Sequence, residues 1–175
     1  VDDFWLGETE VTQGQWQAVM GFNPSRFNKG DNYPVEQVSW NAIQSYLKKL
    51  NQKTGQSYSL PSEAEWEYAC RSGGKDEKYS GSDSADAVGW SEGNSSKTPH
   101  SVKQKQPNGL GLYDMSGNVW EWVQDWKGSY NKYGGKNPTG PSSGSYRVIR
   151  GGSWDFSTHS LRCANRNYSL PNSYH

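Results

Sequence analysis

The sequence predicts an α+β domain that is rich in loops and poor in regular elements. Three observations point there. Helical apolar spacing with good caps is confined to the part before Gly73, Gly, Ser, Asn and Pro dominate from Ser72 to Asn108, and β-prone runs come only afterwards. The 175 residues are enough for one domain with a real core, and no linker-like stretch divides them. Residues 1–175 therefore read as a single domain.

The first helix runs from Glu10 to Gly21. Thr12 and Gln15 fit a capping box, and Trp16, Val19 and Met20 fall at i, i+3 and i+4. The second runs from Ser39 to Lys53, with Ile43, Tyr46, Leu47 and Leu50 on one stripe and Gly55 as its stop. The third opens on Leu60-Pro61-Ser62-Glu63-Ala64-Glu65, a Pro, an N-cap Ser and a Glu at N3, and ends by Gly73. Trp66, Ala69 and Cys70 form its buried face. Val119 to Trp126 alternates Trp120 and Trp122 with Glu121 and Val123, as a strand does, and Tyr146 to Ile149 is β-prone before the Gly151-Gly152 break.

Composition excludes several function classes. Mean hydropathy is low (−1.03), yet nine Trp and eleven Tyr supply the buried area that a disordered chain lacks. Eighteen basic residues balance eighteen acidic ones with the lysines scattered, so no phosphate-tracking stripe marks a nucleic-acid partner. No apolar run approaches the length of a membrane span, so direct insertion in a bilayer is not expected. Cys70 and Cys163 could pair or stay free; one pair is no disulfide framework, and free, partly buried thiols are the favoured expectation.

Four motifs stand in order along the chain: "ETEVTQGQW", "LPSEAEWEYACRSG", "PNGLGLYDMSGNVWEWVQDW" and "RVIRGGSW". Together they closely resemble the formylglycine-generating-enzyme (sulfatase-modifying factor) group, over nearly the whole chain. The resemblance implies a C-type-lectin-type fold with few regular elements. It does not settle activity, because one fold carries several. The enzymes of that group use two cysteines after "RGGS"; here the segment is "WDFSTHSLRCANR", whose Cys163 matches a framework run instead, so the oxidase pair has no counterpart. The related iron-dependent sulfoxide synthases need a histidine set, and His100, His159 and His175 lie far apart. No cofactor is required on this reading. The resemblance does imply structural calcium, carried over to Asp114 and Glu121 by side chain and to Gly117 and Val119 by carbonyl oxygen. The competing reading is that Glu121 pairs with a buried Arg.

The end of the chain has a feature that composition alone hides. Lys, Glu, Gln, Met and Trp supply 42 of the first 154 positions and none of the last 21, a gap expected roughly once in a thousand such windows. Those five are the residues whose every codon ends in a purine. A segment of NNC and NNT codons could encode all of 155–175 and none of the five. Adenine-directed mutagenesis of Asn codons, as practised by diversity-generating retroelements, leaves such a scatter. The tail looks like the variable region of a retroelement-diversified protein of this subgroup, of the Treponema variable protein type.

The candidate ligand-binding positions are Asp155, Phe156, Ser157, Thr158, His159, Ser160, Asn165, Asn167, Tyr168, Ser169, Leu170, Asn172, Ser173, Tyr174 and His175. Their mix of rigid aromatics and adaptable hydrogen-bonding groups suits recognition, much as in an antibody paratope. They should face solvent, with Phe156, His159, Tyr168, Tyr174 and His175 on one surface, while Leu161, Ala164 and Arg166 are shielded or hydrogen-bonded. Trp120, Trp122, Trp126 and Trp154 should be mostly buried. The expected function is non-enzymatic binding of a protein or other surface ligand, in an extracellular or cell-surface setting. The alternatives are a formylglycine-generating-type oxidoreductase with a degenerate site and a calcium-dependent sugar-binding lectin.

Overall fold

The computed structural model describes residues 1–130 and 135–175. Helix α1 (Gln13–Met20) starts at the Thr12–Gln15 capping box and stops at left-handed Gly21. Helix α2 (Trp40–Thr54) is capped by Ser39 and closed by Gly55, also left-handed. Helix α3 (Glu63–Cys70) begins at the Ser62–Glu65 capping box but ends on Arg71, with the amides of Gly73 and Gly74 both bonding the Tyr68 carbonyl. A one-turn helix, α4 (Ala85–Val88), interrupts the long loop region.

Strand β1 is Glu121–Trp126, β2 Arg147–Arg150 and β3 Asn167–Ser169, in an antiparallel sheet of order β1-β2-β3. Glu121 pairs with Arg150 and Trp122 with Ile149, the register slips before Trp126 meets Arg147, and Val148 pairs with Tyr168. The third strand is a correction to the sequence reading, which left the tail as loop. Asn167 to Ser169 has weak β propensity of its own and becomes a strand because central β2 offers it an edge. A 3₁₀ turn, Thr158–Leu161, precedes it.

Simple alternation also fails on β1. Trp122 and Val123 are both buried, because helices cover one face of the sheet and the tail the other. Val123 and Val148 meet Trp66, Ala69, Cys70, Met115 and Cys163 in one core cluster; Trp16, Val35, Val38 and Tyr46 form a second, under α1 and α2. Trp16 stacks on Tyr46 with centroids 4.7 Å apart. Indole N–H groups tie the layers together: Trp122 donates to the Val38 carbonyl and Trp40 to that of Val123, each at 3.1 Å.

Cys70 and Cys163 are joined in a disulfide across 93 residues, which corrects the expectation of free thiols. Their Cα atoms stand 5.7 Å apart, within the reach of such a bond. It fastens α3 to the start of the tail.

Of the four tryptophans expected inside, only Trp122 is buried; Trp120, Trp126 and Trp154 are half-buried. Each of these serves as a platform. Trp120 carries the edge of Phe156, Trp126 lies 3.4 Å from the Arg147 guanidinium carbon, and Trp154 meets Phe27.

Candidate ligand-binding surface

The tail leaves β2 through Gly151 and Gly152, both at positive φ. A Cβ on Gly152 would come within 2.9 Å of Leu161 Cδ1 and of the Ser160 carbonyl, so the chain can double back there only as glycine. From this point the body holds the tail by its backbone. The Trp154 amide donates to the Asn118 carbonyl and Ser95 Oγ to that of Trp154, both at 2.8 Å, and the Glu92 amide reaches the Phe156 carbonyl. Ser116 Oγ donates to the Leu161 carbonyl, and the Cys163 amide to that of Lys78. Further on, the Asn41 amide donates to Pro171, and the Val38 amide to His175 at 2.9 Å.

Two arginines, Arg150 buried and Arg166 half-buried, complete the clamp. Arg150 bonds the Glu67 carboxylate and the Asn165 carbonyl, and lies 3.5 Å from Glu63. Arg166 grips Glu63 through two nitrogens and the Gly128 carbonyl through a third. Glu63 and Glu67 lie on α3, so helix, central strand and tail share one ionic network. Sequence reasoning missed it, since only "LRCANR" hinted at a fixed skeleton.

None of the fifteen candidate positions is buried. Nine are exposed: Asp155, Phe156, Ser157, Thr158, His159, Tyr168, Leu170, Asn172 and Tyr174; Ser160, Asn165, Asn167, Ser169, Ser173 and His175 are intermediate. Buried Leu161 and Cys163 stand between them. Three positions also serve the fold. Asn165 donates to the Ser160 carbonyl, Asn167 accepts from the Tyr168 amide, and His175 sets its ring edge on Trp122, where burial pushes its pKa below the usual value. His175 is thus less exposed than expected, and Ala164 is exposed rather than shielded, because the backbone around it and not its methyl group is what the framework holds. Phe156 on Trp120 and His175 on Trp122 bring the two halves of the tail to side chains two residues apart on extended chain.

The residues expected to hold calcium lie behind this surface. Asp114 is buried in a left-handed conformation, with Oδ2 accepting the Lys103 amide at 2.8 Å and Oδ1 without a partner. Gly117 bonds the Gly151 carbonyl and Val119 the Glu10 carboxylate through their amides, leaving their carbonyls to be shared. Glu121 accepts the Trp66 indole N–H at 3.0 Å. It does not pair with a buried Arg, since Arg150 is taken by α3. Burial raises the Glu121 pKa to about 7, against the pull of the indole; burial also raises Asp114, and it holds Glu10 well above the ordinary range, helped by the charges of Asp114 and Glu121. The orphan Asp114 oxygen and the Glu121 carboxylate are hard donors of the kind calcium takes, and the described residues contain no group of three or more His, Cys, Asp or Glu side chains placed to hold a metal.

With both cysteines in one disulfide, the chain has no free thiol. Among the described residues no helix is long and apolar enough to cross a membrane.

The family described as Sulfatase-modifying factor enzyme 1-like domain matches residues 1–175. A formylglycine-generating enzyme of Streptomyces coelicolor is 36% identical over 191 residues, covering 97% of this chain and 57% of that protein. The chain thus spans little more than half of that enzyme. Chaperone protein LppX of Paenibacillus barcinonensis is 33% identical over 206 residues, covering 88% of this chain and 70% of that one. Among solved structures, Treponema denticola variable protein 1 superposes with a TM-score of 0.90 at 34% identity, covering 97% of this chain and 80% of that one. The chain belongs to the formylglycine-generating-enzyme, or sulfatase-modifying factor, family, with the C-type-lectin-type fold of that group and the architecture of a variable protein.

Proposed function

We propose that the chain is a non-enzymatic binding protein whose tail, 155–175, is a diversified recognition surface for a protein or other surface ligand. One observation carries the reading. Fifteen positions in a segment that lacks Lys, Glu, Gln, Met and Trp all avoid the core, while Leu161, Cys163, Arg166 and Pro171 between them are bonded or disulfide-linked to the body. A domain can accept many residues only where none is packed. A setting outside the cytoplasm agrees with a buried disulfide. The likeness to Treponema denticola variable protein 1 supports the reading.

Sequencing this gene across a population of its source cells tests it without knowledge of the ligand. Substitutions should concentrate at the fifteen positions and spare Leu161, Cys163 and Arg166, with a reverse transcriptase and an Asn-rich template copy nearby. A uniform tail, or variation spread through the body, would end the proposal. Supplying copper and a Cys-containing peptide should yield no formylglycine, as expected of a chain whose thiols are both tied up; product formation would favour the oxidoreductase instead. In the same reading calcium plays a structural part only, held by the Asp114 and Glu121 carboxylates with the Gly117 and Val119 carbonyls.

A further inference from the structure

We infer that the tail surface takes an acidic protein partner, because a fixed rim of unpaired cations surrounds replaceable positions that are almost all neutral. The inference rests on the tail being the binding surface and names the chemistry of what it binds.

At one side of the tail, Arg26 and Lys29 are exposed and stand 5.5 and 5.9 Å from the centroid of Phe27. Phe27 meets Trp154 edge to face at 5.4 Å, and Trp154 leads directly into Asp155 and Phe156. At the other side, Lys127 lies 5.4 Å from the centroid of Tyr168, whose ring meets Tyr146. Between them Arg162 donates to the His159 carbonyl and holds its ring nitrogen at 2.8 Å. Among the described residues none of these four cations has a carboxylate within ion-pair distance; the ion-paired arginines are Arg71, Arg150 and Arg166, which hold Glu63 and Glu67.

The acids nearby do not cancel the rim. Glu36 is buried and accepts the Phe27 amide, and Asp31, though exposed, lies against Gly14 and forms no ion pair with Arg26 or Lys29 among the described residues. Asp155 is itself a replaceable position, bonded to Ser153. Glu92, whose amide bonds the Phe156 carbonyl, is a fixed, exposed acid at the edge of the tail. The chain as a whole is neutral, so this positive rim is a local asymmetry and not a by-product of a basic protein.

Arg26, Lys29 and Lys127 rest beside aromatic faces, Lys29 also donating to Thr98 Oγ1 at 2.7 Å, and cations so placed keep donors that a carboxylate can take. Such a rim attracts carboxylate-rich surfaces whichever side chains fill the variable positions, and speeds their encounter. The aromatic, hydroxyl and amide side chains inside it then discriminate among those partners. Division of labour of this kind keeps every tail variant directed at one chemical class.

A short poly-L-glutamate peptide and heparin serve as probes of the intact chain at low and physiological salt. Poly-glutamate should bind, and bind more weakly as salt rises. Arg26→Ser/Lys29→Ser/Lys127→Ser should lower its affinity roughly tenfold, while Lys48→Ser/Lys49→Ser, exposed on α2, should leave it unchanged. Absence of poly-glutamate binding, or equal loss in both variants, overturns the proposal. So does tighter binding of heparin that the rim variant abolishes, which would make the partner a sulfated polysaccharide. None of these arms depends on tail diversity. A uniform tail in sequenced cells with the rim effect intact would remove diversification alone, and a diverse tail with no rim effect would remove the acidic partner alone.

Discussion

At position 174 the tyrosine ring is 66% exposed, whereas at 152 one added methyl would collide with Leu161 and the Ser160 carbonyl in a backbone already at φ 80°. The two sites therefore respond differently to change. Tyr174→Ser should alter stability by less than about 0.5 kcal/mol and partner affinity by roughly 1 kcal/mol or more, read by melting curves and titration against a captured ligand. Gly152→Ala should cost about 2 kcal/mol or more of stability, from strain and contact together. Trp122→Ala, which empties a buried site and drops the bond to Val38, should cost about 3 to 5 kcal/mol, against a smaller loss for Trp120→Ala at its half-buried platform. Equal losses at 120 and 122 would contradict this account. The stretch that carries the exposed positions was legible in the sequence because Lys, Glu, Gln, Met and Trp are all missing from 155–175, a mark of the segment and not of single positions. His175 and Ala164 departed from expectation because exposure depends on what lies across the fold, Trp122 for one and open solvent for the other.

Among the elements, the three main helices were legible to within about three residues at each end, because Thr12, Ser39, Ser62, Gly21 and Gly55 carry the start and stop chemistry of helices. Strand β3 and the Cys70–Cys163 bond were not. A strand of Asn, Tyr and Ser exists only because β2 lies beside it, and two cysteines 93 residues apart give no local sign of meeting. The bond closes a long loop, and that loop begins on α3 and ends at the tail. Cys70→Ala/Cys163→Ala should therefore lower stability by about 2 to 5 kcal/mol in thermal unfolding. Hydrogen exchange should rise first around Leu161 and Cys163, where the tail loses its covalent tie but keeps the Arg166–Glu63 clamp. A protection pattern unchanged through the tail would mean that the arginine network alone holds it.

For the molecule as a whole, the behaviour with pH follows from three shielded acids, Glu10 and Asp114 buried and Glu121 half-buried. Glu10, Asp114 and Glu121 all have pKa values raised by burial first, with Glu121 at about 7, while the unfolded chain titrates its carboxyls in the ordinary range. The folded state therefore holds protons that the unfolded state has released. Their contribution is fully present below the unfolded carboxyl values and is lost as pH rises through the folded ones. Glu121 alone should remove on the order of 3 kcal/mol between about pH 4.5 and 7 in a chelator. Calcium at Asp114 and Glu121 acts in the opposite sense, because it binds the ionised carboxylates and must compete with protons for them. Its stabilisation should be small at pH 5 and grow towards pH 8, so that melting temperature falls with pH in chelator and flattens in millimolar calcium. Asp114→Asn should raise stability in chelator, by relieving a desolvated charge, and reduce the calcium response. Melting curves that do not move with calcium at pH 8, in a protein whose stability still falls with pH, would leave the three acids as a shielded charge cluster without an ion.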